Sequence, residues 1–135
     1  MTSPWITRAA LAVLAAAATL LSACGSGSTV QQLTPTRFMA VGDGSIDLGR
    51  KDGSRYTIND GSMLWSQQLA SHFGLQLTDS DAGGLSFARG NARVALPDPT
   101  GGGAPSVSEQ ITALLAKTNN TFASSDVVKI GRAHV

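Results

Sequence analysis

The sequence has little of three residue classes on which many stable or cofactor-binding domains depend. A single cysteine excludes an internal disulfide and a zinc site built from cysteines alone. Charged residues make up 14% of the chain and the net charge is +1, which excludes a strongly basic nucleic-acid-binding surface and an acidic disordered tail. Aromatic residues account for only 5% of the 135 residues, so we expect one small domain with a limited core.

The longest apolar run lies near the N-terminus and predicts a secretory signal over residues 1–24. Residues 9–21 are apolar apart from Thr19, and this run is too short to cross a bilayer as a helix. Small residues precede Cys24 and a Gly-Ser stretch follows it, a pattern that resembles a bacterial lipoprotein signal. The resemblance implies that Cys24 carries a lipid anchor in the cell envelope and that residues 25–35 form a flexible tether. An ordinary export signal with a chance cysteine is the alternative.

The C-terminal residues 130–135 read as foreign to the domain. Back-translated, they can be written ATC GGA AGA GCA CAC GTC with a TGA stop following in frame, which resembles a common sequencing adapter. We therefore expect the native sequence to be interrupted near Lys129 and the natural protein to be longer. A short natural tail is the alternative interpretation.

Hydrophobic periodicity between these two ends predicts alternating strands and helices, which is typical of a parallel sheet covered by helices. Loops rich in glycine, proline and aspartate separate the predicted elements. The predicted elements are a strand over 37–41, a helix over 61–73 capped by Asp60, a strand over 85–88, a helix that begins with a Ser106–Glu109 capping box, and a strand that begins at Asp126.

Four short blocks resemble, in chain order, the motifs of the SGNH (or GDSL) ester hydrolases. They are the turn Gly42-Asp43-Gly44-Ser45-Ile46-Asp47-Leu48-Gly49, the Asn59…Trp65…Leu69-Ala70 segment, the stretch from Ser86 to Val94, and Ser108-Glu109-Gln110-Ile111. The bacterial lipase/esterase branch, phospholipase/lecithinase/hemolysin-like, is the most similar. The resemblance implies a three-layer, flavodoxin-like α/β fold, of which residues 36–129 would be the N-terminal part.

The first block departs from the family at the position that matters most. Gly44 stands where the family has its nucleophilic serine, and glycine cannot form an acyl-enzyme. Ser45 is the candidate for a shifted nucleophile, and Asp43 is expected to brace the turn. Gly44 and Gly90 match positions whose backbone N–H groups can stabilise an oxyanion, although Gly90 can equally be a structural turn glycine.

The family's Gly-x-Asn-Asp and Asp-x-x-His blocks would lie beyond Val128, and His72 falls at a position that the family does not use for chemistry. Our leading hypothesis is an exported ester hydrolase acting on lipid or acyl esters, represented by a truncated and inactive chain. The alternative is a noncatalytic surface lipoprotein that uses the same fold to bind a ligand or partner. Neither hypothesis requires a metal, another cofactor or nucleic acid.

Overall fold

The structure is a computed structural model that describes residues 32–49 and 55–133. Two strands and two helices form its regular elements. They are β1 (Arg37–Val41), α1 (Trp65–His72), α2 (Val107–Lys117) and β2 (Asp126–Ile130). Short 3-10 turns lie at Gly44–Ile46 and Ser80–Ala82. The predicted signal, Cys24 and most of the tether lie outside the described residues.

The two strands pair in parallel, and a third segment pairs with β1 on its other edge. Arg37 lies opposite Asp126 at the start of the β1–β2 ladder. On the other edge, the Ala40 N–H donates to the Leu85 carbonyl at 3.0 Å and the Phe87 N–H donates to the Ala40 carbonyl at 2.8 Å. β1 is therefore the central strand, between residues 85–87 and β2.

The prediction of a strand over residues 85–88 was wrong, because this segment meets β1 only through an isolated bridge between Ala40 and Ser86. Parallel pairing would next use the N–H of Gly42, which instead donates to Gln110 Oε1 at 2.7 Å. The following hydrogen bond of the ladder is present, from the Arg89 N–H to the Gly42 carbonyl at 3.1 Å. One diverted amide thus interrupts the ladder.

Side chains of β1 alternate between two cores, because successive residues of a strand point to opposite faces. Phe38 and Ala40 pack in a cluster with Ala70 of α1. Met39 and Val41 pack in a second cluster that contains residues of α2; its helix members are Val107 and Leu114. The described part of the chain therefore has one helix on each face of the central strand.

The helix after the long turn begins later than the sequence predicted. Asp60 caps a turn by accepting the Ser62 N–H at 2.8 Å, and Gly61 has a φ of +83°, which a right-handed helix does not allow. α1 instead begins at Trp65, where Gln67 Oε1 accepts the Leu64 N–H at 3.0 Å. The predicted N-cap at Asp60 was wrong because the residue after the aspartate is a left-handed glycine.

The second helix and the last strand are confirmed. Ser106 Oγ accepts the Glu109 N–H at 3.3 Å, and Glu109 Oε2 accepts the Ser106 N–H at 2.8 Å, which is the reciprocal capping box. The hydrogen bonds that the Glu109 carboxylate accepts from the Ser106 N–H and the Ser106 hydroxyl lower its pKa. α2 therefore has a defined start, close to the turn that follows β1.

β1 and β2 are also joined through an ion pair at their N-terminal ends. Arg37 Nε donates to Asp126 Oδ1 at 2.8 Å, and an Arg37 terminal nitrogen donates to Asp126 Oδ2. The hydrogen bonds from Arg37 lower the pKa of the Asp126 carboxyl. The pair fixes the strand register at the end opposite to the post-strand turn. Within the described residues, no helix has the length and hydrophobicity needed to cross a membrane.

The Asp126 carboxyl predicts how stability depends on pH. Because its folded pKa is lowered, its stabilising contribution is present above the unfolded value of about 4 and is lost as the pH falls through the folded pKa. We expect the free energy of unfolding, measured by urea titration, to fall in acid, and Asp126→Asn to make that fall shallower. Arg37→Gln should have the same effect on the slope, and an unchanged slope in both variants would contradict the assignment.

Candidate functional site

The turn after β1 is shaped by two glycines that let two chain segments approach closely. Gly42 has a φ of +144°, and a Cβ on it would lie 2.7 Å from the Cα of Gly131. The Gly131 N–H donates to the Val41 carbonyl at 2.7 Å, and the Asp43 N–H donates to the Arg132 carbonyl at 3.0 Å. Pairing with the chain after β2 therefore continues past the end of β1 into the turn.

Asp43 caps the short 3-10 turn and engages the candidate nucleophile. Its Oδ1 accepts both the Ser45 N–H at 3.0 Å and the Ser45 hydroxyl at 2.8 Å. Asp43 is buried and Ser45 is exposed. The Ser45 hydroxyl thus donates its proton to a carboxylate, whereas the serine of a catalytic triad donates to a histidine nitrogen.

A second buried carboxylate joins the turn to the segment after residue 86. Asp47 Oδ1 accepts the Gly49 N–H at 2.9 Å, and Asp47 Oδ2 accepts the Gly90 N–H at 2.7 Å. The Gly90 amide, a candidate oxyanion donor from the sequence, is therefore bound to Asp47 in this conformation. It would reach a ligand only after Asp47 released it.

The Tyr56 ring lies against both of the glycines that sequence reasoning selected. A Cβ on Gly44 would lie 2.2 Å from Tyr56 Cδ1, and a Cβ on Gly90 would lie 2.2 Å from Tyr56 Cδ2. Both distances are far below van der Waals contact, so neither position can carry a side chain while the ring is there. The space into which a side chain at position 44 would project is filled by Tyr56.

These groups border an open cleft of about 320 Å³. One wall is the ring of Tyr56, a residue that is 59% exposed. The rest of the lining comes from the turn after β1 and from three other segments. Its residues are Asp43, Gly44, Ser45, Tyr56, Thr57, Asn91 and Arg132.

Gln110 of α2 holds the peptide groups from which the site begins. Its side-chain oxygen accepts the Gly42 N–H at 2.7 Å, while Nε2 donates to the carbonyls of Gly42 and Pro105, both at 3.0 Å. The side chain is 1% exposed. Because an amide is both donor and acceptor, it can satisfy both polar groups of one residue. Gln110 thereby fixes the position of the turn relative to α2.

The structure brings together four of the residues proposed from the sequence and reveals two more. Asp43, Gly44 and Ser45 lie on one turn, and Asp47 links that turn to Gly90. His72 is exposed at the last position of α1. Tyr56 was missed because nothing in its local sequence indicates contact with the glycines. Gln110 was noticed only as part of a helix start.

Comparisons of the chain with protein-family models, curated proteins and solved structures gave no match. The resemblance to SGNH hydrolases therefore stays a prediction carried by the four blocks. In the described ranges, no group of three or more histidine, cysteine, aspartate or glutamate side chains is arranged to hold a metal ion.

Replacing Gln110 should destabilise the protein measurably. Gln110→Leu leaves the Gly42 N–H buried without its acceptor, which we expect to reduce the free energy of unfolding by about 2 kcal/mol. The same replacement at Gln68, an exposed residue of α1, is the control and should change it by less than about 0.5 kcal/mol. Equal effects of the two variants on urea denaturation would contradict the role of Gln110 in holding Gly42.

The bridge through Asp47 predicts an asymmetry between two aspartates. Asp47→Asn turns one acceptor into an amide donor facing a backbone N–H, and should lower the free energy of unfolding by about 1–3 kcal/mol. In Asp60→Asn the Asn oxygen can still accept the Ser62 N–H, so that exposed control should remain near the parent value. Thermal unfolding compares the two, and no difference between them would contradict a structural role for Asp47.

Proposed function

We propose that this chain belongs to the exported SGNH-type ester hydrolases and that its cleft binds an acyl-ester or lipid ligand without cleaving it. The observation that carries the proposal is the pairing of Gly44 with Tyr56. The nucleophile position has no hydroxyl, and an aromatic ring fills the space of the missing side chain. This arrangement supports a cleft used for binding rather than for acyl transfer.

The arrangement around β1 supports the family part of the proposal. The first of the four blocks lies at the C-terminal end of a parallel strand, with a helix on each face, and in open α/β sheets this end of the sheet is where ligands bind. Placing β1 between the 85–87 segment and β2 agrees with the order in which a flavodoxin-like sheet begins.

The hydrogen bonds of the two buried carboxylates support the noncatalytic part. Asp43 is engaged with the backbone and hydroxyl of Ser45, and Asp47 with the amides of Gly49 and Gly90. Each carboxylate holds the turn in place, so the cleft offers shape and hydrogen-bonding groups more than acid–base chemistry. A lipid anchor on Cys24 would place this cleft at the bacterial cell envelope.

Hydrolysis through Ser45 is the second candidate, because one observation favours it. Ser45 is exposed, lines the cleft, and has its hydroxyl 2.8 Å from a carboxylate that could accept its proton. The two candidates differ in whether removal of this hydroxyl changes a reaction rate.

Hydrolysis of p-nitrophenyl butyrate separates the candidates. We expect the protein and Ser45→Ala to hydrolyse it no faster than buffer, because position 44 has no nucleophile and Ser45 is engaged by Asp43. A rate that is present in the parent protein and lost in Ser45→Ala would instead establish the second candidate.

Binding is measured with the same probe by saturation-transfer NMR. We expect transfer from the protein to the butyryl group, and loss of that transfer in Ser45→Trp, which fills the cleft. Ser71→Trp, on the exposed surface of α1, is the matched control and should bind as the parent does. If the parent protein neither bound nor hydrolysed the probe, both candidates would be overturned.

A further inference from the structure

We propose that the Tyr56 ring packs on Gly44 and Gly90 and blocks part of the cleft. The ring has to rotate outward before a ligand reaches the backbone of the turn. The proposal rests on the proposed function for the existence of a ligand. The packing of the ring on the two glycines is a separate claim, which can be tested without a ligand.

The Tyr56 ring packs against two glycines at once. The Cδ1 edge of Tyr56 lies over Gly44, and its Cδ2 edge and Cβ lie over Gly90, at 2.2 and 2.7 Å from a Cβ placed there. Neither glycine is among the residues with positive φ, so backbone conformation does not require glycine at either position. The ring excludes a side chain at Gly44, and the ring together with the Cβ of Tyr56 excludes one at Gly90.

The ring lies over the junction between two chain segments. Gly44 and Gly90 belong to two segments joined by the Asp47 bridge, so the ring covers the junction between the turn and the segment after residue 86. The cleft opens at this junction, with Ser45 and Asn91 on its wall. A ligand that approaches the backbone of Gly44 therefore meets the ring first.

The ring can leave without rearrangement of the loop that carries it. Tyr56 is 59% exposed and lies in an exposed stretch of residues 56–63. That stretch is closed by its own hydrogen bonds, from the Arg55 N–H to Asn59 Oδ1 at 2.7 Å and from Asn59 Nδ2 to the Arg55 carbonyl at 2.9 Å. Rotation about the side-chain bonds of Tyr56 can therefore open the cleft while this loop keeps its shape.

A double-mutant cycle between positions 44 and 56 tests whether the ring packs on Gly44. Gly44→Ala should lower the equilibrium constant for folding about tenfold in the parent and in Tyr56→Phe, because the new methyl group displaces the ring. In the Tyr56→Ala background the same substitution should change the constant less than about twofold. Ile58→Ala, in the same exposed loop, is the control background and should leave the effect of Gly44→Ala unchanged. Equal effects of Gly44→Ala in every background would overturn the proposal.

The second measurement tests displacement by a ligand. Tyr56→Ala should bind p-nitrophenyl butyrate about tenfold more tightly than the parent, whereas Tyr56→Phe should bind as the parent does. Equal dissociation constants for the parent and Tyr56→Ala would overturn the blocking role of the ring while leaving binding at the cleft intact. Absence of binding by both would overturn the proposed function and the ligand-excluding role with it. The binding comparison needs no substitution at Gly44, so it decides the matter even if Gly44→Ala fails to fold.

Discussion

The peptide groups of Gly42 are the point on which the rest of the structure depends. Its N–H donates to Gln110 of α2, and its carbonyl accepts from both Gln110 and the Arg89 N–H. Its α-carbon lies against Gly131, where any Cβ would collide. Four segments of the chain therefore meet at one residue that only glycine can occupy. The diverted N–H interrupts the pairing of β1 with the segment after residue 84, which resumes with the hydrogen bond from the Arg89 N–H.

Much of this framework could be predicted from the sequence, because it follows from local rules. The apolar run of β1, the Ser106–Glu109 capping box and the strand that begins at Asp126 each carry their own signal over a few residues. The late start of α1 has a local cause as well, since Gly61 adopts a positive φ after Asp60 caps a different turn. The preference of aspartate for N-caps favoured Asp60, whereas α1 begins after Leu64, whose side chain makes no capping hydrogen bond.

The contacts that define the site could not be predicted in the same way. Tyr56 meets Gly44 across 12 positions of sequence and Gly90 across 34, by subtraction of their residue numbers. No period or spacing encodes such contacts, because they arise when separate segments pack. A weak signal was present nonetheless: two of the four blocks that carry the resemblance contain the candidate site glycines Gly44 and Gly90, and the chain has only one tyrosine. The Asp47–Gly90 bridge is long-range for the same reason.

The glycine at position 44 and the ring of Tyr56 are best understood together. A serine at position 44 would require the ring to leave, and with the ring gone the cleft would widen beside Ser45. Glycine at position 44 lets the ring cover the turn. Because Asp43 and Asp47 direct their oxygens to backbone amides and the Ser45 hydroxyl, the turn stays in one shape whichever position the ring takes. A rigid turn with a movable aromatic cover is an arrangement that controls access to a site, and it does so without needing any group in the cleft to react.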